Sequence, residues 1–535
     1  MTGPVRQTAQ WLQHQWLWLI GYRGLAFTAR PAFRVEMRAQ LAWAIVAGFL
    51  EGQFAGFLAL RALAASETVI AFINAAPAFA NLLAVVWAAY AAGKDRRAMT
   101  AIPLFMAAAL LLSVPFTLLL PDGRSDSLLR ADLLFAVQVC TATVLLTFAN
   151  TVRNGIWRTN YPTGQRGQIL ARFQVWSLAA SVIYVFALGK ALDLSIQAGL
   201  FHGHGERIYA ILVPLTGSAA ALAAVIYLYL PIRGEPIDAG REKLRSWLSF
   251  PGLRVNGGPE AARHPGRPNR SAKHALARGD LPLDNAPATS HFPTLRDPAT
   301  LPDDPATSHT AVQHGSEGTS ARRAWSAFRR RMTDCFAILQ TDRDYRDYQV
   351  WQMIQGTGMM LLLVPLVIIV ERTFEASYAF AAVALVVVPR LVMAVTLPAW
   401  ARHFDRVDVW DFRAMQTWFL FASRAVLLVA VLQVWWPLLL LAMALQGIAL
   451  AAGQISWQLG HMQFATEANN NDYMAVHTTL TGVRGCVAPF LGQGIYLWIG
   501  NWVVAVSAAV LLLSTVGFNV NARRRRSESP SPDLQ

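Results

Sequence analysis

Two sets of long apolar segments, about six in each and each of about 20 residues, leave this chain few ways to fold. The first set runs from Gln40 to Pro231 and the second from Val350 to Val520, with a long polar stretch between them. A helix of about 20 apolar residues crosses a hydrocarbon core of about 30 Å, so each segment fits one crossing. Backbone in lipid must satisfy its own hydrogen bonds, which excludes lone strands and open sheets. The reading is an all-α polytopic membrane protein, with twelve transmembrane helices in two six-helix bundles related by pseudo-two-fold symmetry. Hydrophobic residues make up 54% and charged residues 15% of the 535. The crossings use nearly all of that apolar content and leave no soluble catalytic domain, so an enzyme is not expected.

The formal net charge of +14 would suit a nucleic-acid binder, but no recognition motif accompanies it. Its distribution has a simpler cause, because the basic residues gather in alternate connections. One side holds the arginines up to Arg38, Lys94-Asp95-Arg96-Arg97, the 153–172 connection, the central linker, the 402–413 connection and Arg523 to Arg526. The opposite connections, Asp122 to Asp132, Lys190 to Arg207 and Glu371-Arg372, are sparser. This asymmetry predicts a multi-pass protein of the cell inner (plasma) membrane with both termini in the cytoplasm. Cys140, Cys335 and Cys486 are far apart and show no metal-ligand spacing, so neither a metal nor a disulfide framework is expected. No cofactor motif is present.

Composition divides the chain into five parts. Residues 1–38 mix Trp11, Trp16, Trp18 and Tyr22 with arginines, a pattern suited to a cytoplasmic interfacial segment. Residues 39–231 form the first six-helix bundle. Residues 232–348 form a cytoplasmic linker whose Pro, Gly, Ser and Asp content cannot bury a core. Within it, 322–340 reads as a basic amphipathic helix for the anionic inner-leaflet lipids, with Trp325, Phe328, Met332, Phe336 and Leu339 at helical spacing. Residues 349–520 form the second bundle, and 521–535 a basic cytoplasmic tail.

Each half carries an Asp-Arg pair after its second apolar segment: Asp95-Arg96 and Asp405-Arg406. With a long loop between the sixth and seventh spans, this resembles the major facilitator superfamily. The resemblance covers both bundles. It implies alternating access about a central cavity lined by spans 1, 4, 7 and 10, with Asp95, Arg96, Asp405 and Arg406 in a cytoplasmic gate. Both copies depart from the family pattern in having Ala at the leading Gly position and in lacking the later Gly. Tyr161-Pro162-Thr163-Gly164-Gln165-Arg166-Gly167 also resembles the turn found before the family's fifth span.

Ionisable side chains near a bilayer midplane are the first functional candidates. Glu51 lies about halfway along the first span, where an apolar cavity suits a carboxylate to proton coupling or substrate contact. Arg390, about halfway along the eighth, is placed to pair with Glu51 or to hold an anionic substrate. Arg424 reads as structural, and Arg484 as able to snorkel to the cytoplasm. Gln138, Asn150, Gln355, Gln446 and Gln454 are the polar uncharged candidates for substrate contact or for bonds between helices. The sparse charges within the spans point away from highly charged solutes. The function expected is secondary active transport of a small solute across the bilayer. The alternative is a non-transporting membrane scaffold or sensor that recruits partners through its loop.

Overall fold

The computed structural model describes residues 25–91, 94–201, 204–233, 333, 337–465 and 470–528. In the first half, α1 (Arg30–Leu50) breaks at residues 51–53 and resumes as Phe54–Ala62 after a 50° bend. α2 comes as Glu67–Leu82 and Ala84–Ala91. Then follow α3 (Arg96–Leu112), α4 (Ala131–Asn160), α5 (Thr163–Gln197) and α6 (Tyr209–Leu228). In the second half, α7 is broken into Arg343–Met360 and Pro365–Arg372. α8 runs through Tyr378–Ala382, one π-helical turn at Val383–Val387, and Val388–Phe404. α9 (Val409–Gln433), α10 (Trp436–Leu459), α11 (Asn470–Ile499) and α12 (Val503–Glu528) complete it.

Among the described residues, length and apolarity identify nine spans, or ten with bent α1 counted as one. Twelve is reached by separating α11 from α12, which share one 55-residue stretch, and by taking the two pieces of α2 as a crossing.

Local chemistry sets several boundaries. Ser66 and Ser377 cap α2 and α8 by accepting from the backbone N–H of Val69 and Phe380. Asp95 and Asp408 cap α3 and α9, accepting from Arg97 N at 2.9 Å and Trp410 N at 2.8 Å. Pro389 has no N–H to offer the preceding turn, and the wider π turn ahead of it relieves the clash.

Packing partners repeat between the halves. α1 packs on α5 and α6 as α7 packs on α11 and α12. α3 packs on α4 and α6 as α9 does on α10 and α12, and α2 meets α4 as α8 meets α10. Across the halves, α2 packs on α11 and α5 on α8. Exchanging the halves maps each pair onto the other, which is the expected pseudo-two-fold relation.

Three boundaries differ from the sequence reading. α1 starts at Arg30, ahead of residue 39, because Ala29 and Phe33 are buried with Tyr161 and Phe173. Glu36, also buried there, accepts hydrogen bonds from the Tyr161 hydroxyl at 2.5 Å and from Trp157 Nε1. The arginine-rich start of the chain from Arg30 onward is thus part of the first bundle. α5 continues through Lys190 to Gln197, where an outer loop was expected. α12 extends past 520 to Glu528, held by Arg525 to Asp344 at 2.6 Å and Arg526 to Asp411 at 3.1 Å. Residues 1–24 and nearly all of the 232–348 linker lie outside the described residues. Of the 322–340 segment, residues 333 and 337–340 are described, and they are helical.

Candidate functional site

Glu51 sits at the break in α1. Its N–H still bonds the Ala47 carbonyl at 2.9 Å, while the residue itself is exposed. Arg390 comes from α8 of the other half, just beyond the π turn, and is half-buried. A Cβ built on Gly48 would lie 3.4 Å from Arg390 Nη1, and one on Gly52 would lie 3.8 Å from Nη2. The guanidinium therefore lies over the glycine face of α1 that flanks Glu51. The two charges attract one another, and Arg153 adds to the field at Glu51. A carboxylate at the break of α1 and a guanidinium from about midway along α8 of the other half thus lie within each other's field.

The break in α7 lies beside the break in α1. Gln53 donates from Nε2 to the Leu363 carbonyl at 3.1 Å, joining the two unwound turns. α11 makes room for the loose turn of α7 with Gly492, where a Cβ would lie 1.8 Å from the Leu361 carbonyl oxygen. Backbone freed in this way is tolerated at membrane depth when protein groups satisfy it.

One face of the molecule carries a pair of polar locks. Asp193, buried on α5, accepts from Tyr378 N at 2.9 Å and Ala379 N at 2.8 Å, the first two residues of α8. A carboxylate on these N–H groups gains both charge-assisted bonds and the favourable end of the helix dipole. Glu67, in the first turn of α2, accepts from Arg372 Nη1 of α7 at 2.7 Å and Gln493 Nε2 of α11 at 2.6 Å. Under the pseudo-two-fold, α5 on the start of α8 corresponds to α11 on the start of α2. Arg61 adds a bond to the Ala376 carbonyl and lies over the Tyr378 ring, 5.0 Å from its centroid. Between described residues, the polar bonds joining the halves run from the α1/α7 breaks to this face, opposite the one carrying Asp95 and Asp405.

The other sequence candidates are distributed within the halves. Gln138 donates to Ser113 Oγ at 2.9 Å, tying α4 to the end of α3. Asn150 and Gln40 accept from buried Arg153 at 2.6 and 2.9 Å. Gln355 accepts from Arg413 at 3.2 Å, and Gln446 from Arg424 at 2.8 Å. Gln454 is half-buried on α10. Arg96 donates to Thr159 Oγ1 at 2.5 Å. Asp405 and Arg406 are exposed, with Asp405 at the C-terminal end of α8. The two Asp-Arg pairs are therefore not equivalent in space, since Asp408 does for α9 what Asp95 does for α3.

Sequence reasoning passed over Glu67, Asp193 and Arg61, because each stood near a segment end where charge is ordinary. It also assigned Arg153 and Arg413 to basic connections. The helices run longer than one bilayer crossing needs, and both residues are buried inside α4 and α9. Arg484 does not snorkel: it is buried and donates to the Gln352 carbonyl at 2.7 Å.

No family model and no curated protein matches this sequence. Solved structures do match its fold. A D-xylose–proton symporter aligns with TM-score 0.58 at 11% identity, over 92% of this chain and 97% of its own. A mutant of the nucleoside transporter NupG aligns with TM-score 0.57 at 10% identity, over 91% and 99%. A POT family transporter in complex with a thioalcohol-conjugated peptide aligns with TM-score 0.55 at 10% identity, over 93% and 96%. The chain has the fold of these transporters.

Proposed function

We propose that this protein is a secondary active transporter that carries a small solute by alternating access, with Glu51 as its proton-coupling or substrate-contacting carboxylate. The observation that carries the reading is the juxtaposition of Glu51 with Arg390. The two belong to different halves, and each stands at an irregularity in its helix. Moving the halves changes the distance between these charges, and protonating Glu51 removes their attraction. Either event biases the other, which is the linkage that coupled transport needs. The similar fold of a proton symporter supports the assignment.

By the distribution of basic residues, the locked face is the outer one and both termini are cytoplasmic. The molecule then faces inward. In this reading Asp95, Arg96, Asp405 and Arg406 act at the cytoplasmic gate, and the 322–340 segment rests on anionic inner-leaflet lipid. Gln355, Gln446, Gln454, Gln138 and Asn150 contribute through the polar networks of α4, α7 and α10.

The test is Glu51→Gln in proteoliposomes bearing a proton gradient. Gradient-driven accumulation is expected to vanish while the variant unfolds at a temperature close to wild type. Accumulation at the wild-type rate removes Glu51 from the mechanism.

A further inference from the structure

Among the described residues, the second half buries a group of cations with no acid in their midst. Arg413 on α9 and Arg484 on α11 are only 4% and 7% exposed. Arg413 donates from Nε to the Tyr348 hydroxyl at 3.1 Å and from Nη1 to the side-chain oxygens of Gln355 and Gln416. Arg484 donates from Nη1 to the Gln352 carbonyl, and its guanidinium lies flat enough on α7 that a Cβ at Gly356 would come within 1.9 Å of Cζ. All of these partners are neutral. The carboxylates in the first turns of α7 and α9 pair with other cations: Asp344 with Arg525, Asp347 with Arg346 and Asp411 with Arg526.

The buried cations are near enough to act on each other. Arg413 and Arg484 both exert their fields on His477, and Arg413 acts on Arg484. The His461 and His477 rings stack at 6.2 Å, and Gln352 Nε2 lies 3.4 Å from His477 Nε2. Four buried nitrogens and one oxygen in this cluster have no hydrogen-bond partner among the described residues: Arg413 Nη2, Arg484 Nε, Gln355 Nε2, His461 Nδ1 and Gln352 Oε1. Buried like charges without a counter-charge are costly, and so is each unmatched buried donor. Two guanidinium forks beside further N–H donors suit a planar or tetrahedral oxyanion, which accepts several bonds at once.

The cluster borders the junction of the halves. Arg484 is flanked on α11 by Gly482 and Gly485. A Cβ at Gly482 would lie 3.1 Å from Leu82 Cα, and one at Gly485 would lie 2.2 Å from Ala78 Cβ, both on α2. On the other side, the half-buried Trp457 ring stands 5.7 Å from His477.

We propose that this cluster binds the anionic oxygen group, carboxylate or phosphate, of the transported solute, so that the substrate class is organic anions. The proposal rests on the transporter reading and sharpens it. It modifies the expectation from sequence that highly charged solutes are disfavoured, because that expectation placed Arg413 in a solvated connection.

The experiment measures thermal unfolding of the purified full-length protein in acetate, phosphate and chloride at matched ionic strength, with uncharged acetamide as the neutral analogue. Acetate or phosphate is expected to raise the midpoint by mass action, whereas chloride and acetamide do not. Whichever of the two acts names the group. In Arg484→Gln the half-saturating concentration is expected to rise about tenfold or more. Arg484→Lys, which keeps the charge and the fold but loses the fork, shows a smaller rise and serves if the glutamine variant does not fold. No oxyanion-specific shift, or a shift equal in wild type, Arg484→Gln and Arg413→Gln, overturns the proposal. Flux in proteoliposomes separates the two readings. Flux of an uncharged solute without any anion shift overturns the anion site and keeps the transporter. An Arg484-dependent shift with no flux of any anion keeps the binding site and overturns its assignment to a carried solute.

Discussion

Gly492 shows how much one residue's side chain, or its lack, decides in this molecule. A Cβ there would meet the Leu361 carbonyl oxygen at 1.8 Å, backbone that cannot swing aside as a side chain would. Gly492→Ala is expected to push α11 from the loose turn of α7 and cost about 1–3 kcal/mol, the usual size of an overpacking strain. A fall in the unfolding midpoint in detergent checks it, and an unchanged midpoint would mean that the turn yields freely. Single residues also mark the limit of what the sequence disclosed. Glu51 and Arg390 were legible because a charge in the middle of an apolar run is conspicuous. Asp193 and Glu67 were not, since a carboxylate near the end of a run looks like any solvated loop residue. Their partners, Tyr378 and Ala379 for one and Arg372 and Gln493 for the other, lie in the opposite half of the chain. No local pattern pairs them.

Helices and their ends account for the next scale. The apolar runs announced the helices, and the halves match in pairing, in capping and in the breaks of α1 and α7. Lengths were harder to read. A bilayer sets how much of a helix must be apolar, and nothing in that rule stops the helix from carrying buried arginines beyond it, as α4 and α9 do with Arg153 and Arg413. The capping geometry distinguishes two aspartates that look alike in sequence. Asp408→Ala removes the cap of α9 and is expected to cost about 1 kcal/mol. Asp405→Ala, exposed at the end of α8, is expected to leave the unfolding midpoint nearly unchanged. Equal losses from both would show that the Asp408 bond to Trp410 N contributes nothing of its own.

For the molecule as a whole, the locks join the halves on one face, and under the proposed alternating access they set which face is shut. The Glu67–Arg372 pair alone is weak, because Arg372 is 49% exposed and solvent screens it. Asp193 is the stronger member, being buried and bonded to two backbone N–H groups. Asp193→Asn is therefore expected to shift the population toward opening on that face more than Glu67→Gln does, and the double variant to shift it furthest. Spin-label distances between α5 and α8 on that face, recorded in lipid nanodiscs, measure the shift. Distances identical to wild type in all three variants would show that apolar packing, including the edge-to-face contact of Phe57 with Tyr378, keeps the face shut unaided.

The interrupted helices have a practical consequence for watching the protein work. Phe54–Ala62 and Pro365–Arg372 span 9 and 8 residues, shorter than the length at which a helix holds itself together in isolation. Each survives through its neighbours, so loosening those neighbours should let its amide protons trade with heavy water well before the long helices do. Mass spectrometry of peptides from these two stretches then gives a label-free clock for the opening of the locked face.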